Sequence, residues 1–266
     1  MPPLLFYKVY DTCAMQLKKS LGQHFLQDES VLQKISNAIG DTNQFGTVVE
    51  IGPGAGALTK YLIQHKPDNF FAIELDDKWA IHLQNMYPIL RNGKLIHRSV
   101  LDVDFSSFNA PVHVVGNFPY NISSQIVFKV LENAGHVTQL TGMFQKEVAQ
   151  RIAAKPGKKD YGVLSVLAQF YYDCEYLFDI APEAFNPPPK VMSGVVRMTL
   201  KNEIAEVNEQ NFRLVVKTAF NQRRKTLKNS LSSLQARDFF LPEKYAALRP
   251  EQLSLDDFIY LAKLIK

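Results

Sequence analysis

The segment from residue 47 to residue 133 constrains the fold more than any other part of the chain. Short runs rich in β-branched and aromatic residues alternate there with segments of helical periodicity. The predicted strands cover residues 47–51, 69–74, 94–97 and 112–116, and the predicted helices cover 57–64, 77–86 and 123–133. Because parallel strands need crossover helices, this alternation indicates a parallel sheet covered on both faces. We therefore predict an α/β fold with a doubly wound, Rossmann-like sheet.

The pattern changes near residue 201. Two more strands are predicted over 175–180 and 193–200, and short helices then follow over 208–220, 226–234, 242–248 and 255–265. We predict a larger α/β domain over residues 15–201 and a small helical domain over residues 202–266. Residues 1–14 are expected to be a disordered or misassigned extension, because Met15 begins a more conventional N-terminus.

Composition excludes several protein classes. A hydrophobic fraction of 46% and a charged fraction of 21% are ordinary for a soluble globular protein. The two cysteines form no C-x-x-C pair, so neither a zinc site nor a disulfide framework is indicated. No apolar run approaches the ~18 residues that a membrane span needs. We expect a cytoplasmic protein without a metal, and the net charge of +4 permits a nucleic-acid partner without requiring one.

A glycine-rich turn, Glu50 to Gly56, lies between the first predicted strand and the first predicted helix. Glycine allows a tight turn and the close approach of a ligand. The spacing of Gly52, Gly54 and Gly56 does not match G-x-G-x-x-G. Because Pro53 has no N–H to offer an anion, a pyrophosphate is disfavoured. The turn therefore favours a cofactor without phosphates, such as S-adenosylmethionine.

Two acidic residues follow the next strands of the predicted sheet. Glu74 ends the second strand, 22 residues after Gly52, and Asp102 follows the third strand. Ligands of open α/β sheets bind outside the carboxyl ends of the strands. Glu74 is placed to accept hydrogen bonds from ribose hydroxyls, and Asp102 from an adenine amino group. Alone, each is more often a solvated acid at a strand end than a ligand, and their occurrence together at successive strand ends favours a site.

The most informative segment is Asn117-Phe118-Pro119-Tyr120, between the fourth predicted strand and a helix. Asn and Pro are also turn residues, so a plain turn is the alternative. As a site, the Asn117 side-chain oxygen and the Phe118 carbonyl would accept from an adenine amine and free its lone pair. Tyr120 would stack on the purine and stabilise the developing cation. No strong base is required, so rate would come from positioning and electrostatics.

In these motifs the chain resembles the ribosomal RNA adenine dimethyltransferase family, and more closely its small-subunit branch. Five ordered motifs carry the resemblance across nearly the whole chain after Met15. They are Lys19 to Leu26, Glu50 to Thr59, Asn117 to Ser123, Phe185 to Val191, and Arg223-Arg224-Lys225-Thr226-Leu227.

The resemblance implies roles for particular residues. The cofactor pocket would be lined by His24, Leu26, Gly52, Glu74, Asp102 and Asn117. The segment Asn117 to Tyr120 would hold the target amine, and Phe185 would pack against the target base. The sequence departs from the family at one of these positions, since many members carry Asn where His24 stands.

A basic segment follows the predicted boundary. Between Asn211 and Arg237 there are seven Lys or Arg residues and no acid, which indicates a phosphate-binding surface rather than an ordinary solvated face. We expect Arg223, Arg224, Lys225 and Lys228 to bind RNA. A second basic group, Arg151, Lys155, Lys158 and Lys159, is expected to flank the active site, and both groups are expected to bind a structured RNA.

The resemblance implies N6-dimethylation of two adjacent adenines near the 3′ end of small-subunit (16S) rRNA, with S-adenosylmethionine as donor. The partner would be an assembling small ribosomal subunit, whose assembly the protein would also check, and the protein would act as a monomer. Three alternatives stay open. They are a large-subunit rRNA methyltransferase of the macrolide-resistance type, a DNA adenine methyltransferase, which the lack of a target-recognition domain disfavours, and a non-catalytic assembly factor on the same scaffold.

Overall fold

The computed structural model describes residues 24–40, 46–65, 68–237 and 239–265. The expected boundary between residues 14 and 15 and most of the Lys19 to Leu26 motif lie outside these ranges. The strands are β1 (Phe25–Leu26), β2 (Thr47–Ile51), β3 (Phe70–Glu74), β4 (Leu95–His97), β5 (Val112–Asn117), β6 (Val137–Gln145), β7 (Tyr172–Ile180), β8 (Phe185–Asn186) and β9 (Ser193–Leu200).

The helices surround the sheet and then make up most of the C-terminal part. They are α1 (Glu29–Asn37), α2 (Thr59–His65), α3 (Asp77–Met86), α4 (Ser123–Glu132), α5 (Lys146–Ala153), α6 (Val163–Tyr171), α7 (Glu209–Asn221), α8 (Leu227–Ser230), α9 (Glu243–Ala246) and α10 (Leu255–Lys263). Among the described residues, no helix is long and apolar enough to cross a membrane.

The central sheet has seven strands in the order β4-β3-β2-β5-β6-β9-β7. The strands from β4 to β6 are parallel, which confirms the doubly wound part of the prediction. At the other end of the sheet, where the sequence predicted strands without a direction, β9 pairs antiparallel with both β6 and β7. Residues 181–192 join β7 to β9 without an α-helix, and such a connection favours an antiparallel pair.

Strand β6 and helices α5 and α6 were not predicted. Six consecutive residues of β6 are buried, so the strand shows no inward–outward alternation. Its Gln and Thr residues also interrupt the apolar run that would otherwise reveal a central strand. In the C-terminal part, the helix predicted over 226–234 ends at Ser230, and a 3-10 helix, Ser232–Arg237, follows it. The capped start at Ser254 is confirmed, since its hydroxyl accepts from the Asp257 N–H at 3.1 Å.

The hydrophobic core crosses the predicted domain boundary. The rings of Phe170 on α6 and Phe212 on α7 are 4.4 Å apart between centroids, and Phe220 on α7 stacks on Phe258 of α10 at 5.7 Å. One cluster of buried side chains runs from the sheet into the C-terminal helices. The boundary near residue 201 therefore stays a prediction about chain organisation.

Candidate active site

A cavity of about 200 Å³ opens at the carboxyl ends of β2, β3 and β5, with β1 on one side. Because these central strands are parallel, their carboxyl ends lie along one edge of the sheet, where ligands of this fold class bind. Eight of the predicted site residues are among those that line it: His24, Leu26, Gly52, Glu74, Asn117, Phe118, Pro119 and Tyr120. Residues far apart in the sequence are thereby brought to one site.

The glycine turn forms one wall of the cavity. Gly54 has a φ of +54°, and a Cβ added there would lie 2.9 Å from the ring of Phe25. Both features exclude a larger side chain, because L residues rarely adopt that conformation and the ring is held on Trp79 at 5.2 Å between centroids. The Gly54 N–H donates to a Glu74 carboxylate oxygen at 3.1 Å. The turn is thus shaped around Glu74.

Glu74 is fixed by the backbone. Its carboxylate accepts from the Gly54 N–H and, through the other oxygen, from the N–H groups of Leu75 and Asp76 at 2.9 Å. Burial raises the pKa of Glu74, and these hydrogen bonds oppose the rise. The side chain is 6% exposed and lines the cavity, so it presents a rigid acceptor to a ligand.

Glu50 also lines the cavity, and the sequence reasoning did not single it out as a site residue. It lies on β2, is 1% exposed, and accepts from the Thr59 hydroxyl at 2.6 Å. Burial, opposed by that hydrogen bond and reinforced by the nearby Glu74, raises the pKa of Glu50 to about 8. An acid within an otherwise apolar strand, TVVEI, was the available signal.

Glu50→Gln should flatten the pH dependence of stability. Unfolded Glu50 loses its proton above pH 4.5, whereas folded Glu50 keeps it to about pH 8. The wild-type free energy of unfolding should therefore fall as the pH rises through that window, on the order of 1.4 kcal/mol per pH unit from this group. Urea unfolding from pH 5 to pH 8 measures it, with exposed Glu132→Gln as the matched control. Parallel profiles for wild type and Glu50→Gln would contradict the assignment.

Asn117, the last residue of β5, has a defined amide orientation. Its Nδ2 donates to the His24 carbonyl at 3.1 Å. Because a carbonyl can only accept, the amide atom that faces His24 must be the nitrogen Nδ2. The side-chain oxygen Oδ1 of Asn117 is therefore free to accept from a ligand. The predicted acceptor for a target amine is therefore held by the chain itself.

Phe118 anchors the segment that follows. Its ring is 1% exposed and packs over β5 and β6, where a Cβ added to Gly142 would lie 2.0 Å from the ring atom Cε2. Its N–H donates to the Met143 carbonyl at 3.2 Å. The buried ring fixes the backbone at the position from which the Phe118 carbonyl would act. Sequence reasoning gave Phe118 only a backbone role and did not foresee this packing.

Tyr120 is held from two sides. Its hydroxyl is 2.5 Å from the Ser193 hydroxyl at the start of β9, and its ring lies 5.6 Å from that of His24 between centroids. Burial raises the pKa of Tyr120, so its hydroxyl stays protonated near neutral pH. A half-buried aromatic ring at the cavity wall is suited to stacking on a planar base.

Two predicted site residues lie outside the cavity wall. Phe185, on β8, pairs with Leu26 on β1 and is 4% exposed, so its ring is buried in this structure. Asp102 is exposed at the end of a short helical turn, although its neighbours Val100 and Leu101 line the cavity. Contact of Phe185 with a base and of Asp102 with a cofactor stay predictions. Among the described residues, no group of His, Cys, Asp or Glu is placed to hold a metal.

The basic residues after α7 differ in their surroundings. Arg224, Lys225 and Lys228 are exposed. Arg223 is half-buried and donates to the carbonyls of Lys158 and Lys159. The expected phosphate-binding role therefore fits three of the four predicted residues better than it fits Arg223.

Two structures have the same fold as this chain. A dimethyladenosine transferase from Plasmodium falciparum superposes with a TM-score of 0.77 at 24% identity, over 90% of this chain and 96% of that one. The 23S rRNA methyltransferase ErmE superposes with a TM-score of 0.68 at 22% identity, over 90% of this chain and 99% of that one. At these identities the likeness establishes the fold alone.

Sequence comparison identifies the family. A protein from Flavobacterium johnsoniae named ribosomal RNA small subunit methyltransferase A is 48% identical over 95% of this chain and 97% of its own length. A protein of the same name from Parabacteroides distasonis is 47% identical over 92% of each chain. The family model described as ribosomal RNA adenine dimethylase matches residues 14–255. The chain therefore belongs to the ribosomal RNA adenine dimethylase family.

Proposed function

We propose that this protein transfers methyl groups from S-adenosylmethionine to the N6 atoms of two adjacent adenines in the 3′-terminal hairpin loop of small-subunit (16S) rRNA. The observation that carries the proposal is the single cavity that joins the glycine turn and Glu74 to Asn117 and Tyr120. A donor site and an amine-binding site share one wall. This chain matches the two relatives over nearly their whole length, and their names support the small subunit as substrate.

The residues of the cavity fit this donor. S-adenosylmethionine supplies a methyl group on a positively charged sulfur. Glu74 presents an acceptor for ribose hydroxyls, and the exposed apolar Leu75 beside it suits a flat adenine ring. The glycine turn lets the backbone approach the ligand closely. Pro53 lacks an N–H, and Arg98 is the one Lys or Arg among the described residues that line the cavity, so the site suits a nucleoside without phosphates.

The chain's own groups would act on the adenine. The Asn117 side-chain oxygen and the Phe118 carbonyl would accept from the N6 amine, which withdraws its lone pair from the ring and directs it at the methyl carbon. The N–C bond forms as the C–S bond breaks, and the sulfur keeps the bonding pair. The nitrogen becomes cationic next to the Tyr120 ring and then loses a proton to water. A second donor repeats the sequence, and Tyr120, protonated throughout, acts by stacking.

Glu74→Gln should weaken S-adenosylmethionine binding by about 10- to 100-fold. Glutamine keeps one acceptor oxygen, so its amide nitrogen, which only donates, would face either the Gly54 N–H or the N–H groups of Leu75 and Asp76. A charged acceptor for the ribose is also lost. Isothermal titration with the methyl donor measures the dissociation constant. The exposed Glu132→Gln variant is the matched control. An affinity of Glu74→Gln within twofold of wild type would contradict the placement of the ribose at this carboxylate.

The proposed function is tested by methyl transfer from labelled S-adenosylmethionine to small subunits from cells that lack the modification. Large subunits and DNA are offered in parallel, and nucleoside mass spectrometry identifies the product. We expect N6-dimethyladenosine in small-subunit rRNA alone. Label in large subunits would assign the protein to the macrolide-resistance type. Binding to small subunits without label would indicate a non-catalytic assembly factor. In either role, we propose that the protein acts as a monomer in the cytoplasm.

A further inference from the structure

The loop of residues 154–161 and the loop of residues 222–226 carry six exposed bases: Lys155, Lys158, Lys159, Arg224, Lys225 and Lys228, the last at the start of α8. Sixty residues separate the two loops in the sequence. None of the six forms an ion pair with a carboxylate in the part of the chain that the structure describes. Their charges are therefore available to a polyanion.

Arg223 joins the two loops. Its guanidinium donates to the Lys159 carbonyl and, at 3.4 Å, to the Lys158 carbonyl. It also lies 4.0 Å from the Glu251 carboxylate, and the Glu251 carbonyl accepts from the Gly157 N–H at 2.6 Å. Next to these contacts, the buried ring of Tyr161 packs edge-on against Phe220 at the end of α7. Several independent contacts thus hold the 154–161 loop against the C-terminal helices.

The basic side chains of the two loops differ in whether they contact backbone or solvent. The guanidinium of Arg223 is turned to backbone carbonyls of the other loop, whereas Arg224 and Lys225 are exposed. The lysine side chains of the 154–161 loop are exposed as well, and the hydrogen bonds from Arg223 go to the backbone carbonyls of Lys158 and Lys159. Asp160 in the first loop and Glu251, which contacts Arg223, are half-buried, and one exposed acid, Glu243, lines a shallow cavity with Lys228. The six exposed bases therefore outnumber these acids.

The 154–161 loop also lies close to the active site. Helix α5 begins at Lys146, whose N–H donates to the Met192 carbonyl at 2.9 Å, next to the Ser193 that holds Tyr120. It ends at Ala153, just before the basic loop, after 8 residues or about 12 Å. The loop is thus one short helix away from the wall on which a base would stack, within the width of an RNA duplex.

We propose that the two loops form one phosphate-binding surface for the duplex part of a structured RNA, and that Arg223 acts as a strut between them rather than as a phosphate ligand. This inference rests on the proposed function, because it assumes an RNA substrate. It revises the expectation that Arg223, Arg224 and Lys225 dock RNA as equivalent residues. The surface would recognise the charge and shape of the RNA phosphate backbone, whereas the cavity would bind the unpaired base.

The strut is tested without RNA. Arg223→Gln should increase hydrogen exchange at the Gly157, Lys158 and Tyr161 amides on the order of tenfold, because the bonds that hold the loop are weakened. Arg224→Gln, the matched control, should leave that exchange unchanged. Thermal unfolding and S-adenosylmethionine binding confirm that both variants are folded. Unchanged loop exchange in Arg223→Gln would overturn the strut.

The composite surface is tested with unmodified small subunits over a series of salt concentrations. Lys155→Ala/Lys158→Ala/Lys159→Ala and Arg224→Ala/Lys225→Ala/Lys228→Ala should each weaken binding and reduce the salt slope by about three. Adding Arg223→Gln to the first triple should weaken binding little further, whereas adding it to wild type should weaken it clearly. Additive losses would make Arg223 a phosphate ligand. An unchanged slope in the first triple would exclude its loop from the surface.

Failure of this inference can be distinguished from failure of the proposed function. If wild-type protein methylates small subunits while the first triple keeps the wild-type salt slope, only the composite surface is wrong. If wild-type protein methylates no substrate, the proposed function is wrong, and the hydrogen exchange of the 154–161 loop still decides the role of Arg223.

Discussion

Asn117→Ala is expected to reduce the single-turnover rate of methyl transfer by about 100- to 1,000-fold, the effect of removing one positioned group that stabilises a transition state. Its amide nitrogen is bound to the His24 carbonyl, so its oxygen is the preorganised acceptor for the target amine. Alanine leaves the amine solvated and its lone pair delocalised into the ring. Rapid-quench kinetics with unmodified small subunits measures the rate.

The matched control for this variant is Asn133→Ala. Asn133 follows α4, and its amide donates to the Lys129 carbonyl at 2.8 Å within the same helix. Its replacement should leave the rate within about twofold of wild type, because no transition-state contact is lost. S-adenosylmethionine binding should stay within about tenfold in Asn117→Ala. A rate for Asn117→Ala within threefold of wild type would remove Asn117 from the catalytic residues.

Gly142→Ala is expected to lower the free energy of unfolding by about 1–3 kcal/mol and to slow methyl transfer as well. The added Cβ would lie 2.0 Å from Cε2 of Phe118, so the ring must move. Because the Phe118 backbone follows Asn117 directly, movement of the ring displaces both amine acceptors. Urea unfolding and single-turnover kinetics measure the two effects.

A second substitution separates overpacking from other causes. Phe118→Leu removes the ring that the new methyl group would meet, so Gly142→Ala should cost much less stability in the Phe118→Leu background than in wild type. Gly135→Ala is the matched control, because nothing lies within 4 Å of a Cβ added there. Equal losses of stability from Gly142→Ala in both backgrounds would contradict the proposed contact.

The sequence alone was sufficient for the elements that carry a local signal. The strand Thr47–Ile51, the helix Asp77–Met86 and the capped helix after Ser254 were recognised from periodicity, glycine placement and capping residues. Each of these signals arises from neighbours within a few residues. The order of glycine turn, strand-end acid and Asn-Phe-Pro-Tyr segment likewise indicates both halves of the cavity.

Tertiary structure decided what depends on distant contacts. The buried strand β6 carries no alternation, the direction of β9 follows from its partners, and the pKa of Glu50 follows from burial among residues that are far apart in sequence. The orientation of the Asn117 amide depends on a carbonyl 93 residues away. These properties arise from packing and desolvation, which act through space.

The basic residues also show which properties follow from the sequence and which from the tertiary structure. Their density between Asn211 and Arg237 indicated a nucleic-acid partner, because the number of charges is a property of the sequence. Whether a given charge faces solvent or a backbone carbonyl is a property of the fold. Arg223, Arg224 and Lys225 are neighbours with nearly equivalent chemistry, yet only Arg223 reaches the Lys158 and Lys159 carbonyls. The sequence determined the chemistry available at each site, and tertiary contacts assigned each side chain its partner.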